Sequence, residues 1–269
     1  MRQPSLNEST SGNNGKDNLE TVKIAGLRIS TIGMIETAKL LCLHGSRNRS
    51  ISEEPYVHTS VNGQVVWLAE KDRNLYRFLQ SADVVSCDSQ PMVLFSKIFS
   101  KNPFYERVAT TDLIHVVAER SQYAGISFFL LGGTEVENKK SAQNLSLLYP
   151  GINIVGRRNG YFCQSEEKSI CNTISAARPD ILWVGMGVPL EQRFIERCAS
   201  LLPTVGAIKT CGGCFKILSG ELPRPWKIFQ IMGLEWLIRL LLEPNHVAFR
   251  YIVSTPMAIW LAMKKMDRK

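Results

Sequence analysis

Along the chain, short and nearly continuous apolar runs alternate with longer stretches of helical apolar spacing. The runs are PYVHTS, ADVVSCD, GISFFLLGG, INIVGRR, PDILWVGMGVP and TVGAIKTCGG. Strands without a polar alternate face are those buried on both sides, as in a parallel sheet. The intervening VVWLAEKDRNLYRFLQSA, TEVENKKSAQNLSLLY, SEEKSICNTISAA and LEQRFIERCASLL carry helical spacing, the second capped by Thr134. Strand and helix in regular alternation predict an α/β fold, a Rossmann-like parallel sheet with helices on both faces. Such sheets bind ligands at the carboxyl ends of their strands, where several of these runs close in glycines.

The ends of the chain differ from this middle. Residues 1–20 are polar and rich in Ser, Asn and Gly, without an apolar signal-peptide core, and are expected to form a disordered arm. TVKIAGLRIS predicts a first strand or hairpin, and STIGMIETAKLLCLHG a helix with Ser30 or Thr31 as N-cap. RNRSISEE reads as a charged loop. From Phe215 the rhythm changes: two prolines interrupt ELPRPWKIF, and the apolar segments GLEWLIRLLLEP and VAFRYIVSTPMAIWLAMKKMDRK follow. The expected domains are an α/β catalytic domain over 21–214 and a C-terminal helical appendage over 215–269. Glu235, Arg239 and Glu243 in the first apolar segment, and Arg250 and Pro256 in the second, argue against a membrane span. An apolar surface with terminal lysines suits a segment lying in the headgroup layer.

A net charge of +8 points to an anionic partner, whether nucleotide, phosphorylated substrate or acidic surface. The seven cysteines are expected to be reduced thiols, and Cys211-Gly-Gly-Cys214 reads as a tight turn rather than half of a metal site. Neither GxGxxG nor GxxxxGK[ST] occurs, which disfavours an ordinary dinucleotide or P-loop site. Gly132-Gly133 and Gly185-Met186-Gly187 follow strands and would let a phosphate approach the backbone. Asp88 closes an apolar strand, placed either as a general base or as a turn or helix cap. Arg107 precedes TTDL, where Asp112 reads as a cap and Arg107 as a partner for phosphate or carboxylate. Lys209 and Arg224 read as surface charges, Trp67, Trp183 and Trp226 as packing, and His58 as either structural or close to the site.

Seven blocks occur in the order of one known family: ADVVSCD, RVATTDL, LLGGTE, YPGINIVGRRNGYF, PDILWVGMGVPLEQRFI, GGCFKILSG and GLEWLIRLLLEP. Together they resemble the WecG/TagA/CpsF glycosyltransferases from about Val22 to Tyr251. The resemblance implies an inverting, metal-independent transfer without a cofactor. The donor would be a UDP-sugar and the acceptor a polyprenyl-diphosphate-linked saccharide, in surface-polysaccharide synthesis at the inner face of the plasma membrane. It implies Asp88 as base, with Thr59 and Arg107 beside it, and donor contacts from Asn62, Gly132, Gly133, Gly185, Gly187, Glu191 and Gln192. It also implies acceptor-diphosphate contacts from Arg239, His246 and Arg250 in the appendage. No nucleic-acid partner is expected, and self-association is left open.

This chain departs from the family pattern at three places. Asp88-Ser89-Gln90-Pro91 replaces D-G-x-G, Pro189-Leu190-Glu191-Gln192 exchanges the polar pair of P-x-Q-E, and the basic series of the appendage continues with His246, then Phe249 with Arg250 adjacent. On the residues alone two other readings stay open: a nucleotide-dependent oxidoreductase, and a non-enzymatic module for acidic lipid or nucleic acid. The missing GxGxxG weighs against the first. Dispersed basic residues without an aromatic platform weigh against the second.

Overall fold

The computed structural model describes residues 19–46, 54–223, 240, 256–257 and 260–261. β1 (Thr21–Ile24) and β2 (Leu27–Ser30) make an antiparallel hairpin whose turn holds Ala25 at φ 52° and Gly26 at φ 82°. Positive φ at both central residues is what a tight turn matching the strands' twist requires. The chain then runs through α1 (Met34–Gly45), β3 (Tyr56–Val61), α2 (Gly63–Lys71), α3 (Arg73–Ser81), β4 (Val84–Cys87), α4 (Gln90–Phe99) and α5 (Thr110–Ala124). It continues through β5 (Ser127–Gly132), α6 (Glu135–Leu148), β6 (Asn153–Arg158), α7 (Glu167–Ala177), β7 (Ile181–Gly185), α8 (Leu190–Cys198), β8 (Ala207–Thr210) and α9 (Cys214–Leu218).

Six strands form one parallel sheet in the order β4-β3-β8-β7-β5-β6. Consecutive residues of each central strand enter opposite cores, so β5 and β7 are apolar along nearly their whole length, while β3 and β8 turn polar toward their carboxyl ends at His58, Thr59, Lys209 and Thr210. Leu182, Val184 and Ile208 pack with Val65, Phe78, Ile174, Phe194 and the hairpin on one face. Ile181, Trp183 and Ala207 pack with Leu41, Leu113, Ile114, Val117 and Phe215 on the other. Leu261 is buried in the first of these layers, while Met257 and Trp260 are exposed. Packing also runs past residue 214: α9 is tied to α6 by Ser141 Oγ to the Phe215 carbonyl at 2.9 Å and Asn144 Nδ2 to the Leu218 carbonyl at 2.7 Å. The arm up to residue 18, the loop at 47–53, Arg224, Trp226 and the family-implied Arg239, His246 and Arg250 lie outside the described residues.

Three local expectations are corrected. The N-cap of α1 is Gly33 without a side-chain bond; Ser30 ends β2, Thr31 bonds the Glu20 carbonyl, and Glu106 accepts from Met34 N–H at 2.8 Å. The stretch after Asn62 is two helices, because Asp72 leaves helical backbone (φ −112°, ψ 103°) and caps α3 through Asn74 and Leu75 N–H. Asp112 lies inside the first turn of α5, where a negative charge favours the helix dipole, and Ala109 is the N-cap. By contrast Thr134 caps α6 as expected, in a reciprocal box with Glu137.

At the amino ends of the strands two aspartates bracket neighbouring backbones. Asp83 Oδ2 accepts from Val57 N–H at 2.7 Å. Asp180 Oδ2 accepts from both the N–H and hydroxyl of Ser127 at 2.7 Å, and Ser127 Oγ accepts from Asp180 N–H at 3.0 Å.

Candidate active site

The opposite, carboxyl edge of the sheet gathers the residues with chemistry. β7 runs on to β8 on one side while β5 runs to β6 on the other, so the sheet reverses its winding at the β5–β7 pair, the position where ligands approach sheets of this kind. Asp88, directly after β4, stands three strand spacings from β7, roughly 14 Å along this edge. Its Oδ1 accepts from Arg107 Nε at 2.9 Å, its Oδ2 accepts from Thr110 N–H at the start of α5 at 3.2 Å, and its own N–H is fixed to the Val61 carbonyl. The carboxylate therefore serves as a cap, for α5 rather than for the α4 that follows it in sequence. About a fifth of each side chain remains exposed, 21% for Asp88 and 22% for Arg107, so the pair is reachable from solvent.

The other implied residues divide by burial. Thr59 is fully buried, its hydroxyl 2.9 Å from that of Thr210 across β3 and β8. Asn62 Oδ1 caps α2, accepting from Gln64 and Val65 N–H. Gly132 and Gly133 sit at φ 136° and 64°, and the Gly133 N–H donates to the Gly185 carbonyl at 2.9 Å, so the β5 and β7 turns touch. Gly187, at φ 79°, has open space where a Cβ would stand.

Glu191 and Gln192 face inward, at 2% and 1% exposure. Glu191 Oε2 accepts from Met186, Gly187 and Gly212 N–H at 3.3, 3.2 and 2.9 Å, fastening the β7 turn to the β8 turn, and Oε1 accepts from Gln192 Nε2. Burial raises its carboxyl to about 7, against the opposing pull of the Gly212 amide, the Lys209 charge and the other two amides. A folded-state value above the ordinary 4.5 means the native state binds the extra proton between those limits. Its stabilising contribution is thus complete below about pH 4.5 and lost as pH rises through 7. Glu191→Gln keeps an acceptor for the three amides, and Gln192, whose Oε1 has no partner, can turn its amide to suit. The difference in unfolding free energy between wild type and Glu191→Gln is expected to change by about 3 kcal/mol from pH 4.5 to 7. Urea titrations at several pH values measure it; a pH-independent difference would contradict the assignment.

Lys209, read from sequence as a surface charge, is fully buried. β8 is covered on both faces, so the side chain has no route to solvent. Its Nζ donates to Ser60 Oγ at 2.7 Å and to the Thr210 carbonyl at 3.0 Å. Ser60 Oγ in turn lies 3.3 Å from Thr110 Oγ1 and 3.4 Å from Ser86 Oγ, and Ser86 Oγ lies 2.7 Å from His58 Nε2. Sequence reasoning missed this group, naming His58 as structural or close to the site and placing Lys209 at the surface. A lysine between Ile208 and Thr210 in an otherwise apolar strand was the available signal. Burial first, then the Lys209 charge, holds His58 well below its ordinary value, so the ring is neutral.

Cys211 and Cys214 are buried and form no disulfide, and burial holds Cys211 well above the ordinary range, which leaves it protonated and unreactive. Among the described residues no group of three or more His, Cys, Asp or Glu is arranged to hold a metal ion, and no helix is long and apolar enough to cross a membrane. A pocket of about 220 Å³ lined by Arg28, Ser30, Gln80 and Asp83 opens beside the amino end of β4, away from Asp88. It has Arg28 and Asp83 in its lining but neither the glycine turns nor Asp88 with Arg107, so the carboxyl edge is the better candidate.

The glycosyl transferase WecG/TagA/CpsF family model matches residues 22–269, the whole sheet and everything after it. This selects among the three readings left open by the residues: the chain belongs to the WecG/TagA/CpsF family of glycosyltransferases, enzymes of cell-surface polysaccharide synthesis.

Proposed function

We propose that the protein is an inverting transferase. It moves N-acetylmannosamine, its uronic acid or glucose from UDP to a saccharide carried on polyprenyl diphosphate. The observation that supports this most is the contact of Asp88 with both Arg107 and the amino end of α5 at the rim of the sheet. One rim position thus offers a proton acceptor, a fixed cation and a helix amide. Asp88 takes the acceptor hydroxyl's proton as that oxygen bonds to the anomeric carbon. The bond from that carbon to UDP breaks, and its electron pair leaves on the diphosphate. In the resting pair Arg107 neutralises the carboxylate; an arriving diphosphate competes for the guanidinium and leaves Asp88 a stronger base. The rim beside the β5–β7 pair takes the nucleotide end, with Gly187 leaving room for close approach and Gly132, Gly133 and Gly185 letting the turns beneath it pack together. Glu191 and Gln192 support those turns from behind, Asn62 and Thr59 shape the floor, and charge neutralisation by Arg107 and amides needs no metal.

The remaining partners follow from the family and from the exposed Met257 and Trp260 near the C-terminus. Arg239, His246 and Arg250 bind the acceptor diphosphate, and the appendage beyond α9 rests on the inner face of the plasma membrane through its exposed side chains. The test is a screen of UDP-sugars with a lipid-diphosphate-saccharide acceptor in the presence of EDTA. UDP release that requires the acceptor is the expected result. Its absence with every donor would overturn the reading.

A further inference from the structure

A fully buried ammonium is costly unless paired, and Lys209 forms no ion pair among the described residues; its two hydrogen bonds go to a hydroxyl and a carbonyl. Its row across the sheet contains His58 on β3 and Trp183 on β7 as register partners. His58 Nδ1 and Trp183 Nε1 are both buried without a hydrogen-bond partner. An apolar residue would fit this row at lower cost, so the position is not optimised for stability. Where a protein holds a charge at such expense, function is the usual reason.

From Lys209 the hydrogen-bonded path leads to Ser60 and on to Thr110, the first residue of α5, whose backbone N–H grips Asp88. We propose that Lys209 is a positioning residue for sugar transfer, holding the amino end of α5 against Asp88 through Ser60 and supplying positive potential beneath the rim where the diphosphate leaves. This rests on Asp88 as the base. Potential from a preorganised cation in a dry interior acts on developing charge without first having to reorganise.

The groups facing the ammonium are Asp88 beyond β4, Glu191 on α8, His58 on β3, and the thiols of Cys211 and Cys214. Burial lowers Lys209 to about 8, with the negative charges of nearby Asp88 and Glu191 among the groups opposing the shift. Two opposite slopes follow as pH rises above 8. The ammonium is lost, so transfer slows. The unfolded chain, with an ordinary lysine near 10.5, binds the proton more tightly than the native state, so stability rises over the same interval. Alkaline unfolding gives the reverse correlation.

The experiment compares wild type, Lys209→Met and Ser60→Ala for kcat and KM toward the active UDP-sugar, and for urea stability, between pH 7 and 10. For Lys209→Met the expected result is a kcat lower by roughly tenfold or more at pH 7.5, since the removed cation acts indirectly. KM should stay within about threefold, stability should equal or exceed wild type, and the loss of activity above pH 8 should disappear. Ser60→Ala keeps the charge and should keep that alkaline limb, with a smaller fall in kcat. Wild-type kcat in a folded Lys209→Met would overturn the proposal. If that variant does not fold, a wild-type kcat that is flat from pH 7.5 to 9.5 would overturn it instead. Acceptor-dependent transfer that Asp88→Asn abolishes establishes the base separately, so an inert Lys209 and a mistaken base give different results.

Discussion

Asp88→Asn is expected to lower kcat for sugar transfer by roughly 10²- to 10⁴-fold, the usual worth of a general base, while binding of the UDP-sugar stays measurable. The geometry separates chemistry from folding in this variant. An asparagine Oδ1 still accepts from Thr110 N–H, so the amino end of α5 keeps its cap. Among the described residues the contact that changes is the one to Arg107, because an amide nitrogen facing the guanidinium sets donor against donor. With both side chains about a fifth exposed, that loss costs about 1 kcal/mol after solvent screening. A small fall in urea midpoint with a large fall in kcat is therefore the expected signature. Undiminished turnover in Asp88→Asn would remove this carboxylate from the mechanism.

Gly132→Ala should have the largest effect on folding of any change at the rim. At φ 136° the backbone lies where an alanine is strained, and a Cβ there would stand 2.1 Å from the Gly185 carbonyl oxygen and 2.4 Å from its carbon. Both neighbours are backbone, so no side chain can yield. The β5 and β7 turns must part, breaking the 2.9 Å bond from Gly133 N–H to Gly185 and loosening the 2.8 Å bond from Gly160 N–H to Gly133. Strain of that kind costs about 1–3 kcal/mol before the clash is added, so a total above about 3 kcal/mol is expected. Gly187→Ala supplies the control, since its Cβ meets nothing within 4 Å and only the left-handed backbone opposes it, at about 1–2 kcal/mol. Equal urea midpoints for the two variants would refute the close approach of the turns.

What the sequence made legible was periodic. Apolar runs such as PDILWVG lie buried on both faces, and their order with the helices was enough to predict a covered parallel sheet. Thr134 was readable because its capping box is local, with Glu137 three residues on. Contacts across long sequence separations left no such trace. Glu106 caps α1 from 72 residues away, and Asp88 caps α5 rather than the nearer helix. Lys209 was misjudged because its residue type suggests exposure, whereas its place in the sheet decides burial. Gln64 and Val65 N–H claim the Asn62 side-chain oxygen, a local pattern that a functional reading of the same residue obscured.

The aspartates at the amino ends of the strands bear on how such an enzyme changes its preferences. Asp83 and Asp180 hold β3 to β4 and β5 to β7 at the floor of the sheet, far from Ser89, Gln90 and Gly187 at the rim. Alignment of the strands is thus settled at the end opposite the proposed site. With the donor at the rim as proposed, exchanges in the rim turns would change its surroundings without letting the strands slide, so donor choice and strand alignment would be separable on one scaffold.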